Sequence, residues 1–324
     1  MLTKSFRHTI RLHNVKSEFP GYSPATESNV VCARLGHERN DPARLRYNGE
    51  KLSITAHVKR GATKSQCQDC AAIVVNERFA AAAVLDGFGR SGTILSEAVA
   101  DRLIEVLLQK KELQADAAKT ILLEAAVSTL QSIASSIPKH GGTTAAVVLV
   151  LPDGCFSAAA VADSALYVRR STGIERHFDY STVHFSGTIP IHANHLHFTT
   201  YFNARHVVGA TINVKEPPEL AIEAVEGMIA PGESILLTTD GATKNLKVRI
   251  TPHTGQIADN SGCDDLAAIL RGKRASRSMI SALLKEIDSR LERAFLSSEL
   301  PFLVDDTALL PNCDDVGLVA ITMK

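Results

Sequence analysis

The chain has 324 residues, 45% of them apolar, and 35 Lys+Arg balance 35 Asp+Glu to a formal net charge of zero. That length allows one large domain or two smaller ones with a sizeable core, and the neutral balance argues against a general nucleic-acid or membrane-surface binder. No apolar run approaches the roughly 18 residues of a spanning helix, the opening MLTKSFRHTIRLHNV lacks the apolar core of a secretory signal, and six scattered cysteines fit free thiols, so a cytoplasmic location is expected.

Residues 1–50 carry little periodicity. Residues 16–28 (KSEFPGYSPATES) read as a loop and the charged stretch 34–46 as a cover for a domain edge, so 1–50 is expected to be an extension packed on the surface, with the folded domain over 51–324. From Ser53 the pattern becomes regular, and SITAHV predicts a strand. Residues 71–75 and 78–85 flank Asn76-Glu77 as a hairpin. Apolar residues at 95, 99, 103 and 106 predict a helix over 93–109, and a second follows over 114–137, closed by Pro138 and Gly141-Gly142. Hairpins are expected for 143–151 with 155–162, around Pro152-Asp153-Gly154, and for 165–170 with 174–178. Residues 181–210 are His-rich and irregular. A strand over 234–239, helices over 264–270 and 276–295 and a closing strand over 316–323 complete the chain. Hairpins alternating with helix pairs argue against a parallel doubly wound sheet and for an antiparallel α+β layered domain.

The stretch Val84-Leu85-Asp86-Gly87-Phe88-Gly89 ends the apolar run 79–85 in a carboxylate followed by glycines. By itself Asp-Gly at a strand end is a turn. Three other segments share the pattern: Val161-Ala162-Asp163-Ser164, Leu237-Thr238-Thr239-Asp240-Gly241 and Cys313-Asp314-Asp315-Val316. Strand tips converge at a sheet edge, and carboxylates gathered there repel one another unless hard cations such as Mg²⁺ or Mn²⁺ lie between them.

These segments resemble, in order, the motifs of the metal-dependent Ser/Thr protein phosphatases, the type 2C or PPM family. Lys64 to Asp69 (KSQCQD) is similar to the family's Arg-x-x-Asn-(Glu/Gln)-Asp opening, and Asp86-Gly87-Phe88-Gly89 to its Asp-Gly-His-Gly. Gly141 to Ala145 resembles Gly-Ser/Thr-Thr-Ala, and Ala162 to Ala165 resembles Gly-Asp-Ser-Arg. Val207-Val208-Gly209 through Pro218-Glu219 resembles Leu-Gly…Pro-Glu, Thr239-Asp240-Gly241 matches Ser-Asp-Gly, and Asp314-Asp315 stands where the family has Asp-Asn. Each motif is short; seven in the right order are hard to obtain by chance.

The resemblance implies an α-β-β-α sandwich of two antiparallel sheets flanked by helix pairs. It implies hydrolysis of phosphoserine and phosphothreonine in phosphoprotein substrates at two Mg²⁺ or Mn²⁺ ions, by a monomer without nucleic-acid or membrane partners. Carried over, Asp86 bridges both metals, the Gly87 carbonyl binds one, and Asp240 and Asp314 complete the second. Asp163 belongs to a third, weaker site shared with Asp240, Gln68 and Asp69 sit behind the ligands, and Lys64 grips the phosphate. There are departures. The family's proton-donating His is Phe88, its phosphate-gripping Arg is Lys64, its opening Asn is Cys67, and the Arg of Asp-Ser-Arg is Ala165. Phe88 and Lys64 motivate a rival reading, a weak or inactive relative that binds phosphoproteins as a regulator. A rival outside the family is a zinc site at His192, His195 and His197; no carboxylate or Cys accompanies them, so a solvated insertion is expected there. Cys67-x-x-Cys70 lacks a second pair and is expected to be neither zinc nor redox site. The basic run 271–277 (RGKRASR) is expected to be an exposed helix–helix linker.

Overall fold

The computed structural model describes residues 9–13, 30–36, 42–61, 64–110, 113, 117–178, 211–214, 222–242, 248–251, 256–259, 263–296, 302–304, 307–309 and 314–324. In chain order the strands begin with β1 (Thr9–His13), β2 (Val31–Leu35), β3 (Ala43–Asn48), β4 (Leu52–Lys59), β5 (Asp69–Val75) and β6 (Ala80–Gly89). Helices α1 (Gly92–Gln109) and α2 (Ala117–Ile133) follow, then β7 (Gly141–Thr143), β8 (Ala145–Val150), β9 (Cys155–Val161), β10 (Ala165–Arg169) and β11 (Ile174–His177). The remainder is β12 (Glu223–Met228), β13 (Ser234–Thr238), β14 (Val248–Thr251), β15 (Gln256–Asp259), α3 (Cys263–Ile269), α4 (Ser276–Leu296), β16 (Phe302–Val304), β17 (Thr307–Leu309) and β18 (Val316–Met323).

The first sheet has seven strands in the order β1-β3-β4-β18-β13-β10-β11, and the second runs β12-β9-β8-β6-β5-β2 with β7 paired to the end of β6. Neighbours in both are antiparallel. The two sheets pack face to face through residues such as Leu45, Ile54, Ile73, Val148, Leu237 and Ile321. The second sheet's outer face, with Val74, Leu85 and Val147, is covered by Leu103 and Ile104 of α1 and Leu122 of α2. Tyr167, Leu236 and Leu318 of the first sheet pack outward on Leu266 of α3 and Ile280 and Leu283 of α4. This is the expected four-layer α-β-β-α sandwich. Covered on both faces, the central strands read as unbroken apolar runs rather than as alternation. Among the described residues no helix is long and apolar enough to cross a membrane.

Four local findings differ from the sequence reading. Within the supposed surface extension, β2 pairs with β5 and β3 with β4. Ala33, Leu35, Ala43 and Leu45 are fully buried, so residues 31–48 belong to the layered domain. The charges of that stretch hid this: Arg34 is itself buried and ion-paired to Glu97 and Asp101 of α1 at 2.8 Å each. Asp86-Gly87 is no turn; β6 runs on through Gly89 and pairs with β7. α2 stops at Ile133, short of Pro138, where the hydroxyls of Ser132 and Ser136 donate to the carbonyls of Thr129 and Ile133 at 2.8 and 2.9 Å and compete with helical bonding. A small sheet, β15-β14-β17-β16, was not foreseen.

His57, on β4, is 4% exposed. Burial, with the charges of Arg44 and Lys59 outweighing Asp288, lowers its pKa from 6.5 to about 4. The unfolded chain takes up this proton near pH 6.5 and the folded chain only near 4, so stability falls as the pH drops through that window, by up to about 1.4 kcal/mol per pH unit. We expect His57→Gln to flatten the fall in urea midpoint between those limits; an unchanged slope would assign the effect to other groups.

Candidate metal centre

The connections from β4 to β5 and from β9 to β10, the latter through Ala162, Asp163 and Ser164, are among those that cross between the sheets at one end of the sandwich. Asp86 projects from β6 at the same end, Asp240 follows β13, and Asp314 and Asp315 precede β18, the neighbour of β13. Asp86, Asp163 and Asp240 each bring a carboxylate oxygen within 4.8 Å of the other two. They are 9, 7 and 6% exposed.

Hydrogen bonds fix this convergence. The Asp86 N–H donates to Thr144 Oγ1 at 3.2 Å, and the Asp86 carbonyl accepts from the Thr144 N–H at 2.9 Å and from Thr143 Oγ1 at 3.1 Å. Thr144 Oγ1 in turn shares a 2.6 Å hydrogen bond with Ser164, the residue after Asp163. The Gly-Gly-Thr-Thr segment thus links two of the three carboxylates. Gly87 donates its N–H to the Gln68 carbonyl at 3.1 Å. A side chain at Gly87 would overlap the Gly92 carbonyl at the start of α1 and lie 2.7 Å from the Gln68 carbonyl oxygen, so only glycine lets these backbones meet.

Asp314 stands apart from the three-carboxylate group and takes Lys64 Nζ at 2.6 Å, so the expected metal ligand and the expected phosphate grip meet in one ion pair. Burial pulls the Lys64 pKa down, but the bond to and charge of Asp314, with Asp315 and Asp86 behind it, hold it above the ordinary lysine value. Gln68 reaches the Gly89 carbonyl with its side-chain amide at 2.8 Å. Asp69 lies directly across the strand pair from Asp86 and accepts from Thr239 Oγ1 at 2.6 Å. Sequence reasoning missed two contributors. Asp315 accepts from the N–H groups of Gly61 and Gln68, both at 2.7 Å, and so ties down the loop that carries Lys64. Thr239 binds Asp69 and accepts from the Gly317 N–H at 2.8 Å. The doubled Asp314-Asp315 was the available signal for the first; the Thr239-Asp240-Gly241 match placed Thr239 in a motif but gave it no role. Cys67 and Cys70 are buried free thiols in separate cores, raised well above the ordinary thiol pKa by burial first, and form no shared site. The His192, His195 and His197 cluster lies outside the described residues.

Burial comes first, then the charges of Asp240, Asp69, Asp163 and Asp314, in raising the Asp86 carboxyl well above its usual range. Asp69 is raised likewise, by burial and then by Asp315, against the opposing hydrogen bond from Thr239. A donor set of three close, buried carboxylates with neither His nor Cys fits a hard divalent cation such as Mg²⁺ or Mn²⁺ rather than a structural zinc.

Layered antiparallel sheets with a carboxylate group at one end define a candidate metal-binding α-β-β-α protein. A model of the protein phosphatase 2C family matches residues 55–279, and the chain belongs to that family. The S. agalactiae serine/threonine phosphatase shares 14% identity with a TM-score of 0.59, over 84% of this chain and 100% of that one. The PPM Ser-Thr phosphatase MsPP from Mycobacterium smegmatis, in complex with cacodylate, shares 16% identity with a TM-score of 0.57, over 85% of this chain and 100% of that one. The catalytic domain of the serine threonine protein phosphatase PstP, in complex with 2 manganese ions, shares 13% identity with a TM-score of 0.55, over 84% of this chain and 98% of that one. A search of curated proteins gives no match.

The corner that presents Asp163 is strained. Ala162 has φ of 69°, a left-handed conformation unfavourable for any residue with a side chain. We expect Ala162→Gly to raise the unfolding free energy by up to about 1 kcal/mol, the steric relief outweighing the added chain entropy. A urea titration measures it, and a destabilised variant would show that the Ala162 methyl group, 6% of the residue being exposed, contributes more by packing.

Proposed function

We propose that this protein hydrolyses phosphoserine and phosphothreonine in protein substrates with Mg²⁺ or Mn²⁺. The observation that carries the reading is the meeting of Asp86, Asp163 and Asp240 at the sheet-crossing end of the sandwich. Asp86 and Asp240 would hold the cations from opposite sheets, Asp163 would share a further ion with Asp240, and the Gly87 carbonyl and Asp314 would complete the set. When bound, two such ions supply a water of lowered pKa and neutralise phosphoryl oxygens.

The chain's own side chains do the rest. Lys64, its side chain 37% exposed and held by Asp314, offers a positive charge to the phosphoryl group at the mouth of the site. Being a point charge rather than a guanidinium fork, it attracts the phosphate without fixing its orientation. Asp315 keeps Lys64 in range by holding its loop. Phe88 lies against Gly142, where a Cβ would come within 2.8 Å of its ring, and it has no proton to give a departing alkoxide. That proton comes from water in this reading. The proposal includes a monomer acting in the cytoplasm. The Lys64–Asp314 pair and Phe88 favour the second reading, a weak or inactive phosphoprotein-binding regulator, and turnover decides between the two.

Metal dependence is the first test. Mn²⁺ is expected to raise the melting temperature of the wild type, because it binds only the folded chain, and EDTA to abolish turnover. Asp86→Ala or Asp240→Ala should lose both responses, yet melt no lower than wild type in EDTA, since each removes one of the repelling charges. Turnover that persists in EDTA or in either variant would sink the mechanism.

The second test concerns the leaving group. A general acid typically contributes about 10²–10⁴-fold, and a phenolate, with a conjugate acid near pKa 10 or below, needs it less than a serine alkoxide. Wild type should therefore handle aryl phosphates well and phosphoserine peptides slowly. Phe88→His is expected to raise kcat on the peptide by about ten-fold or more, and on the aryl phosphate by less. Equal changes on both substrates would mean that position 88 is not the missing acid site.

A further inference from the structure

The start of α4 sits on the outer face of the first sheet, where Ser276 Oγ hydrogen bonds with Thr55 Oγ1 at 3.0 Å and Ser53 Oγ at 3.2 Å. Around that point the strand register sets Arg11 directly opposite Arg46, and Arg46 directly opposite Thr55. Arg44 is two residues from Arg46 on the same face of β3, and Arg277 is the second residue of α4. Arg11, Arg46, Thr55, Ser276 and Arg277 line a cavity of about 380 Å³. Arg44, Arg46 and Thr55 also line an adjoining cavity of about 640 Å³, whose lining includes Lys59, Lys285, Asp288 and Glu292.

Like charges directly opposite on a sheet are destabilising. After burial, the influences lowering the Arg46 pKa are the charges of Arg277, Arg11 and Arg44. The first turn of α4 has no acidic residue, so the positive end of the helix adds to the arginines rather than being cancelled. An anion in the cavity relieves this repulsion, and guanidinium forks match the oxygens of phosphate.

We propose that Arg11, Arg44, Arg46, Arg277 and the amino end of α4 form a second phosphate-binding site, which takes a phosphoryl group carried on a polypeptide. The site includes none of Asp86, Asp163 and Asp240. Its phosphate chemistry stands alone, while the polypeptide carrier rests on the phosphatase reading. A long nucleic acid fits poorly: Asp288 and Glu292 oppose a continuous polyanion, and among the described residues the aromatic rings lining the two cavities are those of Tyr47 and the buried His57, too few for base stacking. The basic run 271–277, expected to be a mere linker, delivers Arg277 to this cluster.

The probe is a fluorescein-labelled peptide with two phosphoserines, followed by fluorescence anisotropy in EDTA at about 50 mM salt. Wild type and Asp86→Ala should bind it alike, and the double variant Arg46→Gln/Arg277→Gln at least about ten-fold more weakly. Inorganic phosphate should compete and the unphosphorylated peptide should not. The double variant should keep the wild-type melting temperature and its turnover of a small aryl phosphate. If it fails to fold, Arg46→Lys/Arg277→Lys keeps the charge but removes the forks, and must itself weaken binding. Unchanged affinity in the variants, equal binding of the unphosphorylated peptide, or tighter binding of a single-stranded RNA of equal charge would overturn the proposal. Arginine-dependent binding in a protein inactive with Mn²⁺ would remove the phosphatase reading and leave the site standing; turnover without arginine-dependent binding would do the reverse.

Discussion

Mutual repulsion among buried carboxylates is the constraint on which the rest of this structure depends. Asp69, Asp86, Asp163, Asp240, Asp314 and Asp315 act on one another at one end of the sandwich. The fold divides the burden. Asp315 is neutralised in part by two backbone N–H groups, Asp69 by the Thr239 hydroxyl and Asp314 by the Lys64 ammonium. Asp86, Asp163 and Asp240 form a tight group of three, in a position suited to a divalent cation. The supports come from distant parts of the chain, so the site exists only when both sheets are assembled. Concentrating unfavourable electrostatics where a ligand will relieve them is how proteins keep strained functional sites without losing the fold.

Charge is also segregated on a larger scale. The balance of 35 against 35 hides an acidic end and a basic face. Arg11, Arg44, Arg46 and Arg277 come from two strands and a helix start that lie far apart in sequence; the register of β1, β3 and β4 aligns the first three, and Arg277 joins Arg11 and Arg46 around one cavity. Net charge excludes a general polyanion binder; it says nothing about a local site.

Much of the fold was legible because burial writes itself into composition. The runs that became β5, β6, β8, β9, β13 and β18 are apolar on both faces, and turn residues punctuate them. Even the alanines of β6 read correctly, since Phe79 and Val84-Leu85 bracket them. The site was legible as carboxylates at run ends. Illegible were the places where polar residues serve tertiary contacts. Arg34 disguised a core strand, β12 has the weakly apolar sequence EAVEGM at a sheet edge, and Gly87 to Gly89 extend a strand through glycines that composition assigns to a turn. Lys64 and Asp314 were each read in isolation, so their ion pair was invisible.

β18 is the last strand in sequence and the fourth of seven in the first sheet, between β4 and β13. Until β18 pairs, the chain therefore has two half-sheets with nothing between them. One ends in an unpaired β4 edge and the other in an unpaired β13 edge, both apolar and open to pairing with other chains. Closing the sheet means joining residues more than two hundred positions apart, Lys59 to Val316 at one end and Leu52 to Met323 at the other, which makes assembly slow by topology. Asp314 and Asp315 arrive with the same strand. The hold of Asp314 on Lys64 and of Asp315 on the backbone of Gly61 and Gln68 therefore forms only as the two half-sheets close on β18.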